Sequence, residues 1–192
     1  MLKGQKVTLR AMSKANIPLF VRWFNDPEVT QYLAGHMMPM STESEERWFE
    51  RQMADGEGWP LTIETADGVT IGNISLMHLD KLNRHAELGI VIGEKEYWSQ
   101  GYGMDAIRTL LRYAFQELNL HRVYLRVHSF NPRAIRCYES VGFLHEGRLR
   151  QAVYRHGAYH DELLMGILRD EAPSGLTSRN GGPEGASEEF NE

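Results

Sequence analysis

Alternating apolar and polar residues recur along the chain, and this period of two is typical of β-strands. Val7, Leu9 and Ala11 alternate with polar residues in this way, and the segment 121–128 repeats the pattern. Asp67-Gly68 is a tight-turn signal between two such segments, which predicts a hairpin. The predicted strands cover residues 5–11, 59–66, 69–77, 84–93, 121–128, 143–153 and 158–168.

Four other segments carry apolar residues at helical spacing. Ser13 can cap the first of them, and Thr42 with Glu45 forms a capping box for the second. Asn131-Pro132 is a strong helix start for the fourth. The predicted helices cover residues 13–24, 41–54, 104–118 and 131–142. The resulting order, β-α-α-β-β-β-α-β-α-β-β, predicts an α/β (α+β) protein in which helices flank a mixed sheet.

Composition and charge indicate one domain followed by a tail. The chain has 192 residues, of which 42% are hydrophobic and 24% charged, and this is ordinary for a globular protein with a sizeable core. Much of the net charge of −5 lies near the C-terminal end, where five acidic residues from Glu171 onward face only Arg179. That segment is also rich in Gly and Ser. We therefore expect a single domain over residues 1–170 and a flexible acidic tail over residues 171–192.

Several functional classes are disfavoured by the sequence. No basic stripe indicates a nucleic-acid partner, and no apolar run approaches the roughly 20 residues of a membrane span. The first residues, MLKGQKVTLR, lack the apolar region of a signal peptide, so we expect a cytoplasmic protein. Cys137 is the single cysteine and no Cys/His cluster has zinc spacing, so we expect neither a disulfide nor a metal site.

A glycine-rich turn, YWSQGYGMDA at residues 97–106, is the first candidate for ligand binding. Its glycines match the G-x-G-x-x-A pattern of dinucleotide sites. A dinucleotide fold, however, places this motif after the first strand, with an acid about 20 residues later. Here the motif follows three or four predicted strands, and the next strand ends without an acid. Backbone N–H groups and a helix dipole still favour a pyrophosphate at this turn. The alternative is a tight turn that binds no ligand.

Two longer segments, EYWSQGYGMDAIRTLLRYAF and NLHRVYLRVHSFNPRAIRCYESVGFLHEGRLR, resemble the GCN5-related N-acetyltransferases (GNAT). The resemblance covers roughly residues 5–168. Its most specific part is the separation between the Gly-x-Gly turn and the motif N-P-x-A-x-x-x-Y-x-x-x-G-F. The chain looks like the RimJ/RimL-type protein acetyltransferases and their spermidine-acetyltransferase relatives. This resemblance implies the GNAT acyl-CoA N-acyltransferase fold and acetyl-CoA as the acetyl donor.

The resemblance also implies a set of cofactor-binding residues. Asn131 matches the residue that lies along the pantetheine arm, and the strand around Ile90, Val91 and Ile92 should offer free backbone groups to that arm. The same resemblance assigns the pyrophosphate loop to Trp98, Ser99, Gln100, Gly101, Tyr102, Gly103 and Met104. Arg133 and Ala134, which follow Asn131, are the remaining expected cofactor-binding residues. Trp98 departs from the Arg or Gln that often begins this loop in the family, and the same departure is familiar in the RimJ/RimL branch.

Acetyl transfer to an amine needs a general acid and a general base. Tyr138 matches the family's Tyr near the thioester sulfur, and a phenol can donate a proton to the leaving thiolate. Glu87 is our candidate base because it faces away from the apolar side of its strand, and His85 and His128 remain alternatives. The developing oxyanion would be stabilised by a backbone N–H near Val91. Cys137 is interpreted as a small core residue, so we expect direct attack by the amine.

The acceptor is harder to identify from the sequence. We expect an acetyl-CoA-dependent N-acetyltransferase that acts on a primary amine, in first place a protein N-terminal α-amino group. The alternatives are a polyamine or other small-amine acetyltransferase and, from another class, a non-catalytic acyl-CoA-binding module. The amine acceptor is the expected partner, and a homodimer stays open. Candidates for the acceptor wall are Trp23, Tyr32, His36, Met37, Met38, Tyr154 and Tyr159, with Glu43, Glu45, Glu46, Glu50, Asp161 and Glu162 as acidic residues that could attract a cation.

Overall fold

The computed structural model describes residues 1–33, 38–55 and 60–177, and its centre is one eight-stranded sheet. The strands are β1 (Leu2–Lys3), β2 (Val7–Ala11), β3 (Leu61–Thr65), β4 (Thr70–Asp80), β5 (His85–Ile92), β6 (Arg122–His128), β7 (Leu144–Arg155) and β8 (Ala158–Leu168). All seven predicted strands are present, and β1 is an addition that the sequence pattern did not indicate. The predicted start of β3, residue 59, lies outside the described residues.

The sheet has the order β1-β2-β3-β4-β5-β6-β8-β7, and β5 with β6 is its parallel pair. The parallel register joins His85 to Arg122, Ala86 to Val123 and Glu87 to Tyr124, and it ends there. Beyond Glu87, β5 continues along β4 as far as Ile92, whereas β6 continues along β8. The two strands therefore separate, and the edge of β5 that faces β6 is left with backbone groups that no described strand pairs.

The helices agree with the prediction in place but differ at their ends. They are α1 (Ile17–Phe24), α2 (Pro27–Thr30), α3 (Thr42–Asp55), α4 (Tyr102–Gln116), α5 (Pro132–Val141) and α6 (Ser174–Thr177). The first predicted helix begins with a 3₁₀ turn over Lys14–Asn16 before α1. The sequence predicts only a helix end at Asn25 to Pro27. Asp26 instead caps α2, because its side chain accepts a hydrogen bond from the Glu28 amide at 2.9 Å.

The folded part of the chain extends past the boundary predicted at residue 170. Helix α6 places Leu176 in the main core with only 6% of its surface exposed, and Gln116 of α4 donates a hydrogen bond to the Leu176 carbonyl at 3.3 Å. Residues 171–177 are thus attached to the domain rather than part of a tail. The rest of the predicted tail, residues 178–192, lies outside the described residues.

Two hydrophobic clusters lie on opposite faces of the sheet's centre. The larger contains α4 and α5 packed on the strands, with Phe115 and Phe143 among its buried side chains. The smaller lies under α1 and α3 and includes Phe20 and Trp23. Gly93 is required there, since a Cβ at this position would lie 2.0 Å from Cδ2 of Trp23. This contact fixes α1 against the end of β5.

Two features are absent from the described part of the chain. Across residues 1–33, 38–55 and 60–177, no helix is both long and apolar enough to cross a membrane. In the same part of the chain, His, Cys, Asp and Glu side chains do not come together in groups of three that could hold a metal ion.

Candidate active site

A cavity of about 760 Å³ opens where β5 and β6 separate. Its walls come from both strands, the glycine-rich turn, α5, and part of the acceptor side. The cavity is bordered by Glu87, Ile90, Val91, Ile92, Trp98, Ser99, Gly101, Gly103, Met104, Asn131, Arg133, Ala134 and Tyr138. These are all of the predicted site residues except Gln100 and Tyr102, so the fold brings residues from three separate segments to one space.

The glycine-rich turn has the backbone that a phosphate cradle requires. Ser99 and Gly101 have φ angles of +59° and +84°, and α4 begins at Tyr102 directly after Gly101. Gly101 therefore serves the backbone conformation. Gly103 does not, because its φ is not positive. A Cβ there would meet only Ile92 Cγ1 at 3.7 Å and Ile90 Cδ1 at 4.0 Å. The absent side chain at Gly103 leaves space for a ligand at the start of α4, where the helix dipole favours an anion.

Asp105, in the first turn of α4, has a structural role. Its carboxylate accepts hydrogen bonds from the backbone amides of Gln5, Lys6 and Val7 at 3.1, 2.7 and 3.0 Å. Lys6 also donates from Nζ to the carbonyl of Gln100 at 2.9 Å. These contacts attach the turn to the loop before β2. The Gln100 side chain donates to the Glu96 carbonyl, and Gln100 does not border the cavity.

Trp98 connects the two sides of the cavity. Its indole Nε1 donates a hydrogen bond to the Ile92 carbonyl at 2.7 Å, which fixes the ring to the end of β5. The guanidinium of Arg133, from α5, lies over the same ring with its Cζ 3.9 Å from the ring centroid. The loop thus begins with an aromatic residue that holds a cation from another element, where the family pattern often has a polar or basic residue.

Asn131 and Tyr138 lie on one face of α5. Asn131 caps the helix, because its Oδ1 accepts from the Ala134 amide at 3.1 Å, and the residue borders the cavity. Tyr138 is seven residues further on and packs edge-to-face against Phe143, with ring centroids 5.9 Å apart. Burial raises the pKa of Tyr138 far above its usual range. The phenol is therefore protonated at neutral pH and has a proton to donate.

Cys137 also borders the cavity, but its chemistry does not favour a covalent intermediate. Burial raises the pKa of the Cys137 thiol, and the nearby Arg108 offsets only part of this effect. The reactive thiolate is therefore scarce at neutral pH. This supports the prediction of direct attack by the amine.

Glu87 reaches the cavity as an ion-paired carboxylate. Its side chain is 8% exposed and accepts hydrogen bonds from Arg126 Nε at 3.0 Å, from Arg126 Nη2 at 3.3 Å, and from His78 Nδ1 at 2.9 Å. Burial acts to raise the pKa of Glu87, but the hydrogen bonds from Arg126 and His78 outweigh it and the pKa is lowered. A carboxylate held in this way is a weak base, which argues against the role that we predicted for it.

The two alternative bases are placed differently. His85 does not border the cavity, and its ring packs edge-to-face on Tyr124 at 5.9 Å. His128 does border the cavity, is 3% exposed, and has a lowered pKa, first because of burial and then because of Arg155 and His160. Of the three candidates, His128 combines access to the cavity with a neutral side chain.

The acceptor wall agrees only in part with the prediction. Tyr32 and Glu162 border the cavity. Trp23 is buried and donates to Glu94 at 3.1 Å, and Met38, Tyr154 and Tyr159 are exposed away from the cavity. His36 and Met37 lie outside the described residues. The remaining predicted acids, Glu43, Glu45, Glu46, Glu50 and Asp161, do not border the cavity.

Several residues that border the cavity were not predicted. They include Val29, Leu33, Trp48, Asn73, Ser75, Met77 and Arg126. Arg126 had a signal in the sequence, since it occupies the polar position between Leu125 and Val127 on a strand that precedes Asn131. The contributions from α3 and β4 had none, because they depend on how separate elements pack.

Comparisons with known proteins identify the class that this fold and cavity define. The model of the GNAT acetyltransferase domain matches residues 6–144, so the chain belongs to the GNAT acetyltransferase family. Spermidine N(1)-acetyltransferase of Vibrio cholerae is 30% identical over 168 residues, which are 88% of this chain and 96% of that protein. The putative ribosomal N-acetyltransferase YdaF of Bacillus subtilis is 39% identical over 123 residues, which are 64% of this chain and 66% of that protein.

Solved structures agree with this assignment. The structure of spermidine N-acetyltransferase from Vibrio cholerae with CoA and spermine has a TM-score of 0.80 and 29% identity, covering 86% of this chain and 97% of that chain. The fold, the N-acetyltransferase activity and acetyl-CoA as acetyl donor are therefore confirmed. The cavity fits that donor, because it joins an open phosphate cradle at Gly103, a cation at Arg133 and an unpaired strand edge on β5.

Proposed function

We propose that the acceptor of this N-acetyltransferase is a small aliphatic polyamine such as spermidine, which attacks acetyl-CoA directly. The supporting observation is the charge at the acceptor end of the cavity. Glu87 and Glu162 both border it, with side chains 8% and 13% exposed, and Arg126 lies between them. Arg126 binds Glu87 at 3.0 Å and reaches Glu162 only at 4.0 Å. The negative charge of Glu162 is thus only weakly compensated, which favours a cationic acceptor.

Four residues of the cavity have defined roles in this proposal. Acetyl-CoA supplies the activated acetyl group when bound. Gly103 leaves room for its diphosphate, Arg133 supplies a positive charge, and the Asn131 amide faces the arm that runs along the free edge of β5. Tyr138 donates a proton to the sulfur that leaves. The relatives that are spermidine N-acetyltransferases support the same acceptor class.

A protein N-terminal α-amino group is the second candidate acceptor. It is favoured by the 39% identity to YdaF, a putative ribosomal N-acetyltransferase. The two acceptors differ in charge, because a polyamine carries further cations beyond the reacting amine and an uncharged peptide carries none. The assignment to the RimJ/RimL-type branch depends on this second acceptor.

Thiol release from acetyl-CoA, measured with spermidine, spermine, a monoamine of similar length and N-terminal peptides, tests the proposal. We expect the polyamines to have the highest kcat/KM. Glu162→Gln should raise the KM for spermidine about tenfold, the cost of roughly one charged hydrogen bond, and leave the KM for the monoamine little changed. Glu117→Gln, an exposed residue of α4's C-terminal end, is the matched control. Faster turnover of peptides than of every polyamine would transfer the assignment to the second candidate.

A further inference from the structure

One face of the sheet at the cavity carries several titratable side chains. On β6, Tyr124, Arg126 and His128 point to the side opposite the buried Val123, Leu125 and Val127, as the strand period requires. Glu87 pairs with Tyr124 in the register of β5 and β6, and Glu162 pairs with His128 in that of β6 and β8. Glu87, Arg126, His128 and Glu162 therefore share one face, and all four border the cavity.

Three of these four groups have partners. Glu87 accepts from Arg126 and His78, and Glu162 lies 4.0 Å from Arg126. Glu87 and Arg126 form a close ion pair, whereas Glu162 has Arg126 only at 4.0 Å and keeps most of its charge for the cationic acceptor. His128 is different, because its Nδ1 is buried and has no hydrogen-bond partner among residues 1–33, 38–55 and 60–177. A buried ring nitrogen without a partner is unusual in a folded protein unless a water or ligand pairs with it.

The position of the His128 ring is well defined by its apolar neighbour. The ring packs on Phe130 with centroids 5.1 Å apart, and Phe130 packs in turn on His160 at 4.6 Å and on Tyr32 at 6.0 Å. These contacts hold the imidazole at the border of the cavity. They also exclude water from one side of the ring, which keeps it in the neutral form.

We propose that His128 is the general base that removes the proton from the acceptor amine. The inference deepens the proposed function and rests on an amine acceptor at this end of the cavity. The N–H bond of the ammonium breaks, its proton goes to the unprotonated nitrogen of the His128 imidazole, and the released electron pair forms the bond to the acetyl carbon. The π pair of the acetyl C=O moves to its oxygen and returns when the thiolate leaves. The C–S bond then breaks, and the sulfur takes the proton of Tyr138. Tyr138 recovers a proton from the attacking nitrogen, and His128 releases its own to solvent.

The charged groups around His128 agree with this role. Arg126 lies on the same strand, His160 and Glu162 on β8, Arg155 on β7 and Glu87 on β5. Burial lowers the pKa of His128, and Arg155 and His160 lower it further. The ring is therefore neutral near pH 7 and ready to accept a proton. Glu87 is already held by Arg126 and His78, and these hydrogen bonds lower its pKa despite burial, so its lone pairs are less available than those of His128.

Two acceptor amines and three variants test the inference. The variants are His128→Ala, His128→Asn and the exposed control His121→Gln. For each variant, kcat/KM is measured with two amines. The first is the amine that the wild type uses best and that is an ammonium ion at the assay pH, and the second is a weakly basic amine that is neutral at that pH. Loss of a general base should lower kcat/KM for the first amine about 100- to 10⁴-fold. The neutral amine needs no such proton transfer before attack, so its loss should stay below about tenfold. Added imidazole should restore part of the activity of His128→Ala, and the control should resemble the wild type.

The outcomes separate this inference from the proposed function. Equal losses of kcat/KM for both amines would overturn the role of His128 but not the acetyltransferase activity. The same would follow if Glu87→Gln, and not the His128 variants, lost kcat/KM mainly for the ammonium-type amine. CoA binding by calorimetry and thermal unfolding of each variant exclude a folding defect, and the milder His128→Asn serves if His128→Ala unfolds early. A wild type that acetylates peptides but no polyamine would overturn the proposed acceptor, and His128 would then be judged on the peptide amine. A wild type without turnover of any amine would overturn both.

Discussion

Arg133 on α5 and Trp98 in the glycine-rich turn form a cation–π contact across the cleft, with the guanidinium carbon 3.9 Å from the ring centroid. The two residues belong to opposite sides of the separation between β5 and β6. Trp98 is fixed to the β5 side by its bond to Ile92, whereas Arg133 moves with the helix that follows β6. The contact therefore links the phosphate cradle to the helix that carries Asn131 and Tyr138.

Replacing Trp98 should weaken CoA binding in two separable steps. Trp98→Ala removes both the platform for Arg133 and the hydrogen bond to Ile92, and we expect the Kd for CoA to rise about tenfold or more, since each contact is worth on the order of 1 kcal/mol. Trp98→Phe keeps an aromatic face and loses only the N–H, so its effect should be clearly smaller. Calorimetric titration with CoA measures both. Equal losses would mean that the stack with Arg133 contributes nothing.

The two glycines of the turn should respond differently to an added methyl group. Gly103→Ala has room within the protein, so the free energy of unfolding should stay nearly unchanged while CoA affinity falls. Gly101→Ala forces a side chain into the left-handed backbone region and should cost roughly 1–2 kcal/mol of stability. Chemical unfolding and CoA titration of the two variants give the comparison. A Gly103→Ala protein that binds CoA normally would contradict the cradle.

Removal of the Tyr138 hydroxyl should affect catalysis far more than binding. Tyr138→Phe keeps the packing on Phe143, so we expect a loss of about 100-fold or more in kcat with little change in the Kd for CoA. Because burial raises the Tyr138 pKa far above its usual range, the wild type should show no loss of activity from ionisation of this phenol up to at least the usual tyrosine range. A proportional loss of binding and turnover would instead indicate a packing role.

Glu87 should make the stability of the protein depend on pH in the acid range. Its pKa is lowered in the folded state from the reference of 4.5, so its contribution is fully present above pH 4.5 and is lost as the pH falls through the lower folded pKa. Urea unfolding of the wild type and of Glu87→Gln over the range from neutral to acid pH measures this. The two free-energy curves should converge at the acid end. Arg126→Gln should reduce the slope of the wild type in the same region.

The C-terminal boundary of the domain can be tested by truncation. A chain that ends at Thr177 keeps Leu176 in the core and should unfold with the full stability of its described part. A chain that ends at Asp170 exposes the surface that Leu176 covers and should lose about 1.5–3 kcal/mol. Leu176→Ala in the longer chain is the matched point variant. Equal stability of both truncations would restore the boundary at residue 170.

The sequence was sufficient for elements whose signal is local. The strands followed from their period of two, and the ends of α5 followed from the Asn131 cap and from Gly142, whose φ is +113°. The short α2 was missed because Asn-Asp-Pro reads equally as the end of one helix and the start of the next. Helix α6 was missed because a low-hydropathy segment contributes a single buried side chain, Leu176.

The candidate site shows the same division between local and non-local information. The glycine-rich turn and the spacing from Asn131 to Tyr138 are contiguous motifs, so they could be recognised from the sequence. The ion pairing of Glu87 could not be predicted, because Arg126 is 39 residues away and His78 lies on the neighbouring strand. The isolation of His128 is also a property of packing, since it depends on which side chains of β7 and β8 do not reach its ring.

The short parallel contact between β5 and β6 has a consequence for how the protein moves. Three residue pairs, together with α4, join a five-stranded half of the sheet to a three-stranded half. Any substrate that fills the gap between β5 and β6 adds strand-like hydrogen bonds there, so it joins the two halves of the sheet more firmly. Amide hydrogens of residues 88–92 should then exchange with solvent more slowly once CoA is present.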